Sequence, residues 1–211
     1  MDRYKVTAQA WDKLAVAYQD KFMDLDLYND TYDRFCRLVR KADPRIFEIG
    51  CGPGNITRYM QARRPDFVIE AIDVAPNMLR IAKENNPAVT FKVMDAREVG
   101  TLAGTYDGIM CGFCMPYLSK EDGLKLIKAC AGLLNSGGIL YLSTIEGDYQ
   151  KSGYETSSNG LNTMFVYYHQ EDYLQQGLAD NHFEVVDLAR KTYPKTHGTA
   201  ETHLILIAKK K

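Results

Sequence analysis

Two hydrophobic periods take turns along this chain of 211 residues. Residues 4–20 put Ala10, Trp11, Leu14, Ala17 and Tyr18 on one side of a 3.6-residue repeat, which predicts an amphipathic helix. A second helix is expected next, with Asp30 as its cap and Tyr32, Phe35, Leu38 and Val39 turned inward. Asp43-Pro44 should stop it. From there, short apolar runs alternate with helical stretches. Residues 45–49, 67–72, 89–93, 106–110 and 139–144 read as strands, and 55–62, 76–85 and 119–134 as the helices between them. Pro76 suits a first helical turn, Ser119 suits a cap, and Asn135-Ser136-Gly137-Gly138 suits a helix end. Strict strand–helix alternation implies a parallel sheet with helices on both faces, the doubly wound α/β class. The end of the chain breaks this rhythm. Residues 170–181 are helical, but 183–188 and 203–208 are two strands in succession, which predicts an antiparallel edge strand. Residues 146–162 are polar, rich in Gly, Ser and Tyr, and without a clear period. They read as a long loop over the open end of the sheet, and loops of that length are often functional.

Length and charge narrow the class. A chain of this size reads as one domain and buries about 70% of its unfolded surface without staples. The formal charge of −1 with interleaved signs argues against a nucleic-acid partner, which needs a basic face. The N-terminus lacks the apolar core of a secretory signal, and no apolar run reaches the length of a membrane span. Five cysteines at scattered spacing fit a reducing compartment, so the expectation is a cytoplasmic protein with no membrane partner.

The chemistry concentrates in Phe47-Glu48-Ile49-Gly50-Cys51-Gly52-Pro53-Gly54 and in Asp73, at the end of the next apolar run. A strand ending in close glycines lets a ligand approach bare backbone, and the following helix points free N–H groups at it. An acid roughly 20 positions on, at the tip of the second strand, is where a ribose diol would be gripped. The spacing Gly50-x-Gly52-x-Gly54 departs from the dinucleotide fingerprint, with Asn55 where the third glycine belongs. Glu48 would repel a pyrophosphate but tolerate a ligand carrying an ammonium and a sulfonium. Cys111-Gly112-Phe113-Cys114 has the C-x-x-C form of a redox site, but it follows the fourth strand and has no companion ligands for a metal. It reads as two small core residues.

The glycine segment resembles the first motif of the class I S-adenosylmethionine-dependent methyltransferases, and further stretches match in order. Ala71-Ile72-Asp73 resembles the acidic motif of the second strand. Val93-Met94-Asp95-Ala96 resembles the adenine-holding segment. Tyr106-Asp107-Gly108-Ile109-Met110 resembles the fourth strand, and Leu134-Asn135-Ser136-Gly137-Gly138-Ile139 the turn into the fifth. Trp11-Asp12-Lys13-Leu14-Ala15 and Tyr18 resemble the lid helix of the small-molecule branch. The resemblance implies a Rossmann-like, mostly parallel seven-stranded sheet with an antiparallel C-terminal edge strand. It implies S-adenosylmethionine as cofactor, with Trp11, Tyr18, Glu48, Gly50, Cys51, Gly52, Asp73, Val74, Met78, Asp95, Ala96 and Phe113 as the residues that bind it. It implies no particular acceptor.

Each of these residues also has a plainer reading. Asp73 could cap the helix at Pro76, Asp95 could be a solvated turn residue, and Met78 could be core. Trp11 and Tyr18 could simply pack their helix, although aromatic faces favour a sulfonium. Tyr28, Tyr117, Tyr154, Tyr168 and His169 are the acceptor-pocket candidates, His169 with a capping alternative, and His203 reads as structural. No His–carboxylate arrangement is evident beside the cofactor site, so positioning is expected to dominate the chemistry. The positioning surface should be the lid helices within residues 1–43 and the acceptor-side segment 146–168. Two other functions stand beside methyl transfer to a small molecule: a nicotinamide-dependent oxidoreductase, which the glycine spacing disfavours, and a non-catalytic S-adenosylmethionine-binding module.

Overall fold

The computed structural model describes residues 2–157, 160, 162–195 and 198–211. Helix α1 (Arg3–Phe22) begins where Asp2 accepts the backbone N–H of Tyr4 at 3.0 Å. Helix α2 (Asn29–Leu38) starts at Tyr28, not at the expected cap. Asp30 lies inside its first turn, where its charge favours the helix dipole, and pairs with Lys191 at 2.7 Å. The helix also ends before Asp43-Pro44. The Arg64 guanidinium takes the carbonyls of Cys36, Val39 and Lys41 at 2.7–3.0 Å, so the last turn is satisfied by a distant side chain.

Strand β1 (Arg45–Ile49), helix α3 (Asn55–Arg63), strand β2 (Val68–Asp73), helix α4 (Pro76–Asn85), strand β3 (Thr90–Val93) and strand β4 (Tyr106–Cys111) follow within a residue or two of expectation. Ser119 caps helix α5 (Lys120–Leu133), accepting the N–H of Asp122 at 3.1 Å. That helix runs straight into strand β5 (Leu134–Glu146), so Asn135-Ser136-Gly137-Gly138 is the irregular start of a strand. Its pairing with β4 shifts register there and becomes regular from Ile139. Lys210 closes the helix from the far end of the chain by donating to the carbonyls of Ala131 and Leu134.

The segment expected as a plain loop contains a hairpin, strands β6 (Gly153–Thr156) and β7 (Thr163–Val166). Tyr154 packs edge-on against Phe165 across it, and Met164 and Val166 bury themselves with Ala10 of α1. Phe165 N–H donates to Thr7 Oγ1 at 2.9 Å, so the hairpin is bound to α1. Its strands are four residues each, too short for periodicity to announce.

After helix α6 (Glu171–Asp180), strands β8 (Phe183–Pro194) and β9 (Ala200–Lys210) complete a seven-stranded sheet of order β3-β2-β1-β4-β5-β9-β8. The first five strands are parallel, and β9 runs antiparallel to both neighbours. The final strand thus lies one place in from the edge, and β8 is the edge itself. Alternate residues feed opposite faces. Phe47, Ile109, Leu140 and Leu206 pack on α5 and α6; Ile46, Met110, Tyr141 and Ile205 pack on α2 and α3. The switch point falls between β1 and β4, so the open crevice lies at the carboxyl ends of β1, β2 and β4.

Candidate active site: two adjoining cavities

The loop after β1 works as a backbone cradle. Gly50 has φ +70°, and a Cβ there would meet Cys114 Cβ at 2.9 Å, so only glycine fits. Gly54 has φ +80° and opens α3, which puts a glycine at the helix entrance without the dinucleotide spacing. Asp73 ties the loop down. Its Oδ2 accepts the N–H of Gly52 and its Oδ1 that of Ala75, both at 2.9 Å. Both oxygens keep a lone pair for a ligand. Burial pushes the Asp73 carboxyl above its ordinary value, more than these backbone bonds lower it.

Glu48 lies beneath the loop, 1% exposed. Its Oε2 accepts from Thr57 Oγ1, while Oε1 has no partner. Burial pushes this carboxyl up to about 8. A buried, half-satisfied carboxyl of this kind gains from an incoming cation. At the far end Asp95 receives Arg97 in a two-pronged pair with a contact of 2.6 Å. Burial raises the Asp95 carboxyl, but the Arg97 bonds outweigh it and hold it below its ordinary value. Arg97 stacks over Tyr4 at 3.9 Å.

These residues surround a cleft with about 850 Å³ of empty space. Trp11, Tyr18, Gly50, Gly52, Asp73, Val74, Met78, Asp95, Ala96 and Phe113 all line it. Glu48 stands behind this wall. Cys51 lines the neighbouring cavity instead, its thiol directed at the Gly52 carbonyl. The wall also includes Tyr4, Thr7, Met94, Gly112, Cys114 and Leu118, which the sequence reading did not select. Met94 sits inside the quoted adenine motif and was legible there; Tyr4 and Thr7 lie on the cleft side of α1 and carried no motif.

The fold has recognisable relatives. Residues 46–138 match a family model described as a methyltransferase domain. Over 106 residues the chain is 31% identical to a ubiquinone biosynthesis O-methyltransferase of Xanthomonas campestris pv. campestris, a stretch covering 48% of this chain and 43% of that protein. The chain therefore matches less than half the length of this relative. The sheet and its helices superpose on magnesium protoporphyrin IX methyltransferase of Synechocystis PCC 6803 with a TM-score of 0.71, 16% identity, and coverage of 100% and 98% of the two chains. A 1,6-didemethyltoxoflavin-N1-methyltransferase of Burkholderia thailandensis gives 0.69, 18% identity, and coverage of 98% and 88%. Over residues 46–138 the chain is thus similar to a methyltransferase domain, and its fold is that of S-adenosylmethionine-dependent methyltransferases.

Beside the cleft lies a second cavity of about 1110 Å³ of empty space. The two share Trp11, Tyr18, Gly50, Gly112, Phe113 and Tyr117. Trp11 meets Tyr18 and Tyr117 edge-on, each with ring centres 5.4 Å apart. Phe113 holds a left-handed backbone, φ +56°, anchored by its N–H to Ser143 Oγ at 2.8 Å. Strain of that kind persists where surrounding structure over-determines it, and here it sits on the partition between the cavities.

The acceptor candidates separate. Tyr28 and Tyr117 line the second cavity. Tyr154 does not; it is half exposed on the hairpin. Tyr168 is connected to the cavity only through its bond to Glu155 Oε1 at 2.7 Å. His169 is fully buried outside both cavities, its Nε2 bonded to the carbonyl of Met115 at 2.9 Å and its Nδ1 to Tyr173. Burial lowers its imidazole to about 4, so it is a neutral structural residue. A different histidine faces the cavity. His203 lines it with Glu201 and Lys195, a His–carboxylate arrangement that the sequence reading did not anticipate. Glu201 and His203 are two apart on a strand, which puts both on one face without any motif to announce them.

Cys114 lines the first cleft and Cys111 is buried. The Cys111 thiol bonded to Cys114, together with burial, pushes the Cys114 thiol well up, the reverse of a redox-active cysteine. Among the described residues no group of three or more His, Cys, Asp or Glu side chains could hold a metal ion, and no helix is long and apolar enough to cross a membrane.

Proposed function

We propose that this chain transfers the methyl group of S-adenosylmethionine to a small-molecule acceptor, with the cofactor in the first cleft and the acceptor in the second cavity. The shared aromatic partition carries this reading, because a reacting carbon must pass from one compartment to the other without meeting water. Asp73 holds the ribose hydroxyls and Asp95 the adenine amino group. Val74, Met78, Ala96 and Phe113 wall the cofactor, and Trp11 and Tyr18 of the α1 lid close over it. Glu48, with its unpartnered Oε1, offers the cofactor's ammonium a hydrogen-bond acceptor from behind the loop. Bound there, the cofactor supplies a methyl carbon already activated by its sulfonium. Tyr28 and Tyr117, with the hairpin residues Glu155, Met164 and Val166, hold the acceptor in line.

The formal charge of −1 supports a small acceptor over nucleic acid. Five unpaired cysteines support a cytoplasmic setting. Isothermal titration with S-adenosylmethionine, followed by a labelled-methyl transfer assay over a metabolite pool, tests the proposal. Tight binding and labelled product are expected. Binding without S-adenosylhomocysteine production from any acceptor would favour the non-catalytic module.

A further inference from the structure

The second cavity contains a histidine whose surroundings are poor for a purely structural role. His203, on β9, is 6% exposed. Its Nδ1 lies 2.6 Å from the Tyr28 hydroxyl. Its Nε2 is buried without a hydrogen bond, and the nearest charge is Glu201 Oε2 at 3.5 Å. A neutral imidazole carries one proton, and the carboxylate beside Nε2 selects the tautomer with that proton on Nε2. Nδ1 then accepts from Tyr28, which is left with an oxygen lone pair to offer.

The neighbours complete this picture. The ring lies near-parallel to Tyr28, at 17°, and to Tyr193, at 10°, with Phe113 tilted against it at 4.8 Å. On the paired strands it stands opposite Ile145 of β5 and Lys191 of β8, and Lys191 sends its ammonium to Asp30. Glu201 is kept ionised. Burial raises its carboxyl, but His203 and the Lys195 ammonium at 2.5 Å outweigh it. Lys195 reaches on to Glu155 at 3.3 Å. Lys21 also faces the cavity, its ammonium over the rings of Phe22 and Tyr193. Phe113 belongs to the partition, so the histidine sits one ring away from the cofactor cleft.

We propose that Tyr28 and His203, backed by Glu201, form a proton relay that ionises the hydroxyl of a small aromatic acceptor, a phenol, as it is methylated. The inference rests on the function proposed above. The acceptor oxygen uses a lone pair to bond the methyl carbon while the carbon–sulfur pair returns to sulfur, leaving a neutral thioether. The phenol proton passes to Tyr28 Oη, and the Tyr28 proton passes to His203 Nδ1. The imidazolium is held beside the Glu201 carboxylate until it releases its proton back through Tyr28 after product leaves. Tyr28 and His203 are catalytic; Glu201 is a positioning residue. A planar aromatic acceptor suits the slot because Phe22, Tyr28, Phe113 and Tyr193 supply its walls.

The test uses 4-nitrophenol, whose anion absorbs visible light, added to the full chain loaded with S-adenosylhomocysteine. The wild type is expected to bind it as the anion at a pH where the free phenol is mostly neutral. Tyr28→Phe and His203→Gln should lose that band while keeping S-adenosylhomocysteine affinity. With S-adenosylmethionine present, kcat for its methylation should fall by ~10²–10⁴ in both variants with little change in KM, the range for a lost proton-transfer group. Glu201→Gln should give a smaller loss. Variants that ionise the phenol as the wild type does, or a wild type that takes up no 4-nitrophenol, overturn the relay. A wild type that fails to bind S-adenosylhomocysteine overturns the methyltransferase reading itself, and calorimetry separates the two failures.

Discussion

The two cavities share a wall but treat charge in opposite ways. In the first cleft, Glu48 is buried and Asp73 half-buried, neither with a cationic partner, and both carboxyls are pushed up in pKa. In the second, Glu201 is held down by His203 and Lys195, and Lys195 is shared with Glu155. One region leaves carboxyl oxygens without a cationic partner, which a ligand bringing positive charge can answer. The other has neutralised itself, which suits a neutral acceptor. Asp95, at the far end of the first cleft, is already met by Arg97.

The largest expected effect tests the unpaired Glu48 carboxyl. Glu48 titrates near 4.5 when unfolded and at about 8 when folded, so the folded protein favours its neutral form. Stability from this group is full below its unfolded range and falls as pH rises through about 8, by up to ~5 kcal/mol. Glu48→Gln should flatten that decline in chemical denaturation between about pH 4.5 and 8, and S-adenosylmethionine affinity should drop at the same time. A pH profile identical to the wild type's would break the contrast between the cavities.

His169 offers a control from behind the second cavity. Its folded value near 4 lies below the ordinary 6.5, so its contribution is complete above that value and is lost as pH falls toward 4. The loss should be ~3 kcal/mol, read as acid unfolding that His169→Gln shifts while S-adenosylhomocysteine affinity at neutral pH is kept. A variant that instead loses acceptor turnover with stability unchanged returns His169 to the acceptor site.

Asp73→Ala should weaken S-adenosylmethionine binding by ~2–3 kcal/mol, as for a lost charge-assisted partner. A carboxylate at a strand tip reads from sequence as carrying little stability. With Gly52 and Ala75 bonded to it, the same change should also cost ~1–3 kcal/mol of folding free energy. Asp73→Asn, which keeps one acceptor oxygen, should recover part of the stability and little of the affinity. Calorimetry and denaturation together read both halves.

The smallest effect belongs to the cysteine pair. Cys111→Ser with Cys114→Ser should leave cofactor affinity unchanged and cost ~1 kcal/mol of stability, from burying hydroxyls where thiols packed. Rapid alkylation of Cys114 in the wild type at neutral pH would contradict a raised thiol pKa.

Much of the scaffold was legible because its signals are local. The runs ending at Ile49, Asp73 and Met110, Pro76 opening α4 and Ser119 capping α5 each depend on residues a few positions apart. The misplaced features depend on distant partners. Helix α2 ends where Arg64 takes its carbonyls, and α5 passes straight into β5 under Lys210. The β6–β7 hairpin exists because Met164 and Val166 find Ala10 on α1. Because of that attachment, deleting it would disturb a wall of the cofactor cleft as well as the acceptor side.

The sequence by itself determined the order of strands and helices, the parallel core of the sheet and the cleft built on Gly50, Gly52, Asp73 and Asp95. These follow from backbone conformation and short-range periodicity, and the switch-point rule then puts them in one crevice. Only the tertiary structure decided the second cavity. It brought Tyr28, Phe113, Lys195, Glu201 and His203 to one place from across the chain, and sent Tyr154 and His169 away from it. Side-chain chemistry names which residues can act. Which of them face one another depends on strand pairing and packing between segments up to 175 residues apart, as between Tyr28 and His203, and no local pattern encodes that.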